Sequence, residues 1–380
     1  MTPEACFWLA AALVGYCYFG YPLLLALRGF IHPAPEVRRD DSTPMVTMII
    51  VAHNEEGRIE SKLRNCHELD YPQDRLEVLV ASDGSTDRTE DIVLQHATRG
   101  VRLLRLPGPR GKAEALNAAV PEARGDVLVL CDVRQDLDPK AVRILVANFA
   151  DPSVGAVSGE LHLEPSPGSG MEGVGLYWRY EKWIRRAESR VDSTVGVTGA
   201  FYAMRRALYR PLDPLTILDD VAIPMNVVEA GSRVIFDPSA NAYDRLAEDP
   251  KTEYRRKVRT LAGNYQLVAL HPSLLNPRNN RLFWQLVSHK LLRLAIPWCL
   301  LALLTTSAAL AAKGSTFYAW AAGLQGSLYL LALAGWLLKG IGSRLLSVPY
   351  SFVLLNVAAA AALFGFLSRR ETAAWRSTAR

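Results

Sequence analysis

The chain has 380 residues, of which 50% are hydrophobic and 21% charged, with a mean hydropathy of +0.07; this excludes both a disordered polymer and a plain membrane bundle, and requires something soluble joined to something apolar. Its 43 Lys and Arg against 38 Asp and Glu leave a formal charge of +5, too small and dispersed for a nucleic-acid partner but enough for an anionic membrane surface or a phosphate-bearing substrate. The five cysteines, Cys6, Cys17, Cys66, Cys131 and Cys299, form no CxxC pair and no zinc spacing, which excludes a disulfide scaffold and a zinc knuckle and points to a reducing compartment.

From Phe7 to Leu27 no charged residue interrupts an apolar run of about the 20 residues a helix needs to cross a bilayer core. A cleaved signal peptide is the rival reading, but the preceding residues offer only Glu4 and no small-x-small cleavage site follows. Arg28, Arg38 and Arg39 come next, so the positive-inside rule places the following segment in the cytoplasm. Three further stretches, Leu291–Ala312, Phe317–Leu338 and Leu345–Leu367, are each long enough to span. The expected organisation is a transmembrane helix over 1–28, a cytoplasmic domain over 40–270, an interfacial segment over 271–290, transmembrane helices over 291–367 and a basic tail over 368–380. If all three late stretches cross, Arg369, Arg370, Arg376 and Arg380 end outside, so one stretch is expected to be re-entrant or interfacial.

In the middle segment VTMIIVA, after Pro44, is a continuous apolar run that reads as a parallel strand covered on both faces, ending at His53-Asn54-Glu55-Glu56. A polar helix follows to about Leu69, and a second strand, Leu76–Ala81, runs into Ser82-Asp83-Gly84-Ser85-Thr86-Asp87. Val101–Leu106 is short and apolar, GPRGKAEALNAAV opens a helix at Gly111 and Lys112, and DVLVL is another buried strand ending on Cys131-Asp132. The pattern predicts an α/β fold with a mostly parallel sheet. Three strand ends deliver Asn54 and Glu55, Asp83, and Asp132 to one rim, where open α/β sheets bind ligands. Capping of the next helix is the plainer role for any one of them. No GxGxxG follows the first strand and no GxxxxGK[ST] occurs, so neither a dinucleotide site nor a P-loop is expected.

Taken in order, VTMIIVAHNEE, VASDGSTDRT, GPRGKAEALNAA, VLVLCD and LDDVAIPMNVVEAG resemble the inverting family 2 glycosyltransferases, which have a GT-A nucleotide-sugar fold. The likeness covers roughly Met45 to Gln266, and the flanking spans resemble bacterial membrane polysaccharide synthases. It implies that Asp83 holds the nucleobase or ribose, that Asn54 and Glu55 line the same pocket, and that Lys112, with Asn117 further along its helix, lies against the diphosphate. Asp132 matches the first acid of the family's DxD motif, which implies Mg²⁺ or Mn²⁺ on the diphosphate. The chain departs from the motif at Arg134; a shifted ligand at Asp136, Asp132 with water, or the charge of Arg134 itself are the alternatives.

Asp219-Asp220 resembles the family's acidic pair, whose second member deprotonates the acceptor, making Asp220 the expected base. Complementing a helix dipole is the plainer role for two such acids. The segment Thr198 to Arg205 matches the acceptor floor, with Gly199, Ala200 and Phe201 facing the acceptor. Aligned on Gly263, Arg256 and Arg259 fall in the QxxRW element that grips the diphosphate, with Thr260 in place of tryptophan; the same cations suit lipid head groups. Tyr177, Trp178, Tyr180 and Trp183 are expected in core packing, with an acceptor channel as the alternative.

The expected activity is transfer of a hexosyl or N-acetylhexosaminyl group, with inversion, from a cytoplasmic nucleotide sugar, UDP preferred, to a cell-surface glycan or exopolysaccharide. Membrane lipids and export or assembly proteins are the expected partners, and nucleic acid is not. The alternatives are single addition to a polyprenyl phosphate or other lipid, which the missing tryptophan favours, and a non-catalytic membrane subunit, which Arg134 favours.

Overall fold

The structure is a computed structural model that describes residues 1–164, 172–245, 250–338 and 343–368. The basic tail expected beyond Ser368, with Arg369, Arg370, Arg376 and Arg380, lies outside the described residues.

One eight-stranded sheet organises the middle of the chain, in the order β3-β2-β1-β4-β7-β6-β8-β5. Its strands are β1 Val46–Ala52, β2 Leu76–Asp83, β3 Val101–Leu106, β4 Val127–Cys131, β5 Asp136–Leu137, β6 Val154–Glu164, β7 Phe201–Arg205 and β8 Arg233–Arg245. β1, β2 and β4 are buried along their whole length, as their continuous apolar runs predict for strands covered on both faces. The first four strands in sheet order pair in parallel, the arrangement expected from the sequence. The second half makes the sheet mixed: β7 runs antiparallel to both β4 and β6, β8 is parallel to β6, and β5 is antiparallel to β8.

This order fixes where a ligand can sit. β1 has β2 on one side and β4 on the other, and the crevice at such a switch point, outside the carboxyl ends of the strands, is the ligand position of open α/β sheets. The reversed β7 pairs Cys131 with Phe201, which brings the residues before β7 to the rim where β1, β2 and β4 end.

Alternation along β1 divides the core in two. Met48, Ile50 and Ala52 pack with Ile59, Leu63, Val93 and Ala141 from the helices Ile59–His67, Thr89–Gln95 and Ala141–Ala147. Ile49 and Val51 pack with Leu116, Ala119, Val221 and Met225 from the helices Lys112–Glu122 and Asp219–Glu229.

Four helices are long and apolar enough to cross a membrane: Pro3–Ile31, Phe283–Ala312, Thr316–Leu337 and Arg344–Leu367. Their outward faces expose Phe19, Leu23, Phe30, Trp320, Leu324 and Phe364, large apolar groups suited to hydrocarbon. The three late stretches are unbroken helices, and the first of them starts at Phe283, because a π-helical turn over Leu286–Leu291 continues directly into it. A matching π-helical turn, Tyr16–Gly20, interrupts the first span. Tyr21 and Leu25 of that span pack on Ile184, Ala187 and Val191 of the long helix Glu172–Val191, joining membrane part to sheet part.

Candidate active site

The ends of β1 and β2 are stitched together by their own polar residues. Asn54 adopts a left-handed backbone (φ +54°), which an Asn tolerates better than most residues. Its Oδ1 accepts from the Thr86 amide at 2.8 Å and its own amide donates to Ser85 Oγ at 3.2 Å. The Glu55 amide donates to Thr89 Oγ1 at 2.8 Å, while the Glu55 carboxylate accepts from Arg58 at 3.3 Å.

Asp83 is fully buried. Its carboxylate accepts from the amides of Arg110 at 2.9 Å and Gly111 at 2.7 Å. Gly111, at φ +100°, immediately precedes the helix Lys112–Glu122, so Asp83 fixes the loop that aims Lys112. Gly84 meets the same loop: a Cβ there would lie 2.5 Å from the carbonyl carbon of Gly108, at a φ of +64°. Only glycine fits.

Lys112 occupies the centre of the rim. Its Nζ lies 3.0 Å from Asp132 Oδ1, at the end of β4, and 3.1 Å from Asp219 Oδ2, at the start of the helix Asp219–Glu229. Burial opposes the ammonium charge, but the two carboxylates outweigh it and hold the Lys112 pKa above its ordinary value. For Asp132 burial likewise acts upward, and the Lys112 ammonium overrides it to hold the carboxyl below the usual range.

Asp220 behaves in the opposite sense. Burial, and then the neighbouring Asp219 carboxylate, raise its pKa to about 6, into the range where a carboxylate exchanges protons near neutrality. Gly199 lies against it: a Cβ on Gly199 would sit 2.9 Å from the Asp220 Cβ and 3.3 Å from Oδ2. Ala200, buried beside Asp132, accepts from the Asp132 amide at 3.3 Å, and Phe201 is fully buried in β7. The structure therefore brings Lys112, Asp132, Asp219, Asp220, Gly199 and Ala200 to one place.

Other expected site residues go elsewhere. The Asn117 carboxamide is engaged by the 209–212 segment, accepting from Tyr209 Oη at 2.7 Å and the Leu212 amide at 2.8 Å and donating to the Leu212 carbonyl at 2.8 Å. Arg134 pairs with Asp244 at 3.4 Å, and Asp136 is exposed in β5. On the helix Pro250–Leu270, Arg256 is half-buried while Arg259 and Thr260 are exposed. That helix braces the acidic pair by other residues: Gln266 accepts from the Ile217 amide at 2.9 Å, and a Cβ on Gly263 would lie 2.6 Å from Leu218 Cγ. Among the aromatics, Trp178 donates to the Leu161 carbonyl at 3.0 Å and Tyr180 to the Tyr18 carbonyl at 2.9 Å, while Trp183 is exposed.

The donor set fits a divalent ion accompanied by phosphate. Two carboxylates from different elements already converge on one cation, the Lys112 ammonium, and Mg²⁺ needs only one or two carboxylates when substrate phosphates complete its sphere. Among the described residues no group of three His, Cys, Asp or Glu forms a ready-made cage.

Residues 47–212 match the glycosyl transferase family 2 profile. The chain carries a family 2 glycosyltransferase domain. It is 29% identical over 244 residues to the Bacillus subtilis protein named "Probable glycosyltransferase YdaM", covering 59% of this chain and 56% of that one. It is 24% identical over 262 residues to a Staphylococcus aureus poly-beta-1,6-N-acetyl-D-glucosamine synthase, covering 67% of this chain and 62% of that one. The matched region thus spans only somewhat over half of each relative. The solved structure of the Pyrobaculum calidifontis mannosyltransferase PcManGT in complex with GDP-Man and Mn²⁺ aligns over 97% of this chain and 100% of its own, with 27% identity and a TM-score of 0.76. The fold of the glycosyltransferase domain is accordingly GT-A.

A second polar cluster, missed from the sequence, joins this glycosyltransferase domain to the spans. His289 on the π-helical turn lies 2.7 Å by Nε2 from Glu181 and 2.8 Å by Nδ1 from Glu188, both on the helix Glu172–Val191. Tyr21 of the first span donates to Glu188 at 2.6 Å, and Arg293 donates to Glu181 at 2.7 Å. The available signal was His289, Lys290 and Arg293 interrupting an apolar stretch, since ionisable groups in such a stretch mark partners or function.

Proposed function

We propose that the protein is an inverting glycosyltransferase of a bacterial-type inner membrane, with residues 40–270 in the cytoplasm, that moves a hexosyl or N-acetylhexosaminyl group from a nucleoside diphosphate sugar to a membrane-borne glycan or lipid-linked acceptor. The observation that carries this is the meeting of the Lys112–Asp132–Asp219 cluster with Asp220 at the switch point between β1 and β4. Asn54, Glu55 and Asp83 border the nucleoside side, and Lys112 turns to the diphosphate when donor enters.

The acceptor hydroxyl gives its proton to the Asp220 carboxylate, and its oxygen bonds to the sugar's anomeric carbon on the face opposite the diphosphate. The bond from that carbon to the diphosphate oxygen breaks, and the nucleoside diphosphate leaves with the electron pair. Gly199 and Ala200 leave room for the acceptor beside Asp220. Asp132 and Asp219 would hold Mg²⁺ or Mn²⁺, which neutralises diphosphate charge when bound. Lys112 then remains as a compact cation for the leaving group.

Two donors come first in the test. GDP-mannose is favoured by the ligand in the P. calidifontis structure, which aligns with nearly the whole chain; UDP-N-acetylglucosamine, in line with the uridine expectation, is favoured by the product named for the S. aureus relative. Purified protein in nanodiscs is incubated with a panel of nucleotide sugars, and free nucleotide, product size and anomeric linkage are read. Release of nucleotide from one donor with an inverted linkage is expected. Failure of every donor, with and without Mn²⁺, overturns the proposal.

A further inference from the structure

The last of the four apolar helices, Arg344–Leu367, is long enough to cross a membrane, yet both of its ends meet the side that the sheet occupies. Its first turns pack on the end of the helix Thr316–Leu337: a Cβ on Gly335 would lie 2.7 Å from the Leu346 carbonyl oxygen and 3.1 Å from the Tyr350 Cβ. Its last turn packs on the helix Pro250–Leu270, where Phe366 stacks on Tyr265 with ring centroids 5.8 Å apart. Leu346 and Phe366 are separated by about 30 Å of helix at 1.5 Å per residue, as much as the hydrocarbon core is thick. A crossing helix that starts beside Gly335 would therefore finish at the far ends of the spans, where Phe7 and Trp8 pack on Phe317.

The contacts between the two ends stay at the level of the sheet domain. Phe352 meets Tyr18 at 5.4 Å between centroids, and the Tyr18 carbonyl accepts from Tyr180 of the helix Glu172–Val191. Ser351, Leu355 and Ala358 border a void of about 20 Å³ shared with Tyr177, Tyr254 and Lys257. Phe364 meets Trp298, in the second turn of the helix Leu292–Ala312, at 6.3 Å. The helix Pro250–Leu270, which runs beside Arg344–Leu367, carries Arg255, Arg256, Lys257 and Arg259 within five positions, a charge density that hydrocarbon does not accept.

The geometry points to Arg344–Leu367 as a membrane-surface helix, seated at the boundary of lipid head groups and acyl chains over the sheet domain, and not as a fourth span. It turns Ser351, Asn356 and Ala359 to protein and leaves Val348, Val357, Phe364 and Leu367 exposed, large apolar groups that such a seat buries in lipid. The charge pattern agrees. Three crossings return the chain to the side of the sheet domain, so Arg344 before this helix and Arg369, Arg370, Arg376 and Arg380 after it stand together on that side, as the positive-inside rule favours. Through Tyr265 the helix also fixes how far below the bilayer the acidic pair stands, since Gln266 holds the Ile217 amide and Gly263 abuts Leu218. The placement holds whether or not the domain is a transferase.

The first test uses full-length protein in cell membranes, with reporter cysteines at three exposed positions, Lys140→Cys in the sheet domain, Lys313→Cys between two spans and Ser368→Cys after the helix. A membrane-impermeant maleimide is added before and after the membrane is opened, and each site is read by peptide mass. Ser368→Cys is expected to follow Lys140→Cys in both conditions, and Lys313→Cys to react from the other side. Reaction of Ser368→Cys together with Lys313→Cys overturns the placement. The second test reads depth, with spin labels at Val348→Cys, Val357→Cys and Phe364→Cys in nanodiscs of phosphatidylcholine and phosphatidylglycerol, from the ratio of oxygen to nickel-complex accessibility. All three labels are expected within about 5–10 Å of the head-group boundary of one leaflet. A Val357 label at the bilayer centre overturns the surface seat, even where Ser368→Cys stays with the domain. Neither readout involves nucleotide or sugar, so failure of the transferase reading is distinguishable from failure of this one.

Discussion

Gly199 and Asp220 are in van der Waals contact across the acceptor side of the rim, so close that a Cβ on Gly199 would lie 2.9 Å from the Asp220 Cβ. The contact is with the root of the side chain, next to the backbone, and a rotamer change cannot relieve it. Gly199→Ala should therefore push the start of the helix Asp219–Glu229 outward, costing about 1–3 kcal/mol in stability as overpacking does. Turnover should drop by roughly tenfold or more, because a base must stand within hydrogen-bond reach of its proton. Thermal unfolding and steady-state rates check both, and an Ala variant with wild-type turnover would remove Gly199 from the acceptor side.

The pH dependence follows from the acidic pair. Asp220 accepts a proton only when ionised, and its pKa is raised to about 6 by burial and by Asp219. kcat/KM should rise between pH 5 and pH 7 and level off above. Asp219→Asn removes a charge that raises this pKa, so the acid limb should move to lower pH, even as the loss of an Asp219 contact to Lys112 lowers the maximum.

Lys112 stands between Asp132 and Asp219 at the place a divalent ion would take. Lys112→Met should raise the affinity of the donor-free protein for Mn²⁺, measured by the free-ion spin resonance signal, while weakening nucleoside diphosphate binding. The two effects have opposite signs because the lysine competes with the ion for carboxylate oxygens but attracts phosphate. Weaker Mn²⁺ binding in the variant would separate the two carboxylates from the metal role.

Much of this site was legible in the chain because it stands on the elements with the strongest sequence signal. The runs VTMIIVA, LEVLVA and VLVLC are buried as read, and the acids that follow them reach one rim because parallel strands end together. Asp219 and Asp220 were placed by their order in the family pattern, which no local periodicity supplies. The second half of the sheet was not legible: β6, VGAVSGELHLE, mixes Gly, Ser and His into its run, and β7 reverses direction through contacts with strands distant in sequence. Asn117 follows Lys112 by five positions on the helix Lys112–Glu122, which turns it about 140° away from Lys112, and it binds the 209–212 segment. The His289 cluster unites residues more than 100 positions apart, beyond any local pattern.

Orientation is open to a labelling experiment. With residues 40–270 in the cytoplasm, Arg259→Cys, at an exposed position, should react with a membrane-impermeant maleimide only after the membrane is opened. Lys313→Cys, exposed between the second and third candidate spans, should react from outside. The reverse pattern would place the rim on the side without nucleotide sugars.

Asp220→Asn is the most direct test of the base assignment. The substitution keeps the size of the side chain and removes its capacity to take the acceptor proton. Nucleoside diphosphate binding by the full-length protein should stay within about twofold of wild type, while transfer falls by at least the roughly 10²-fold that general-base catalysis supplies. Transfer at the wild-type rate by the Asn variant would contradict the assignment, and with it the acceptor side of the site.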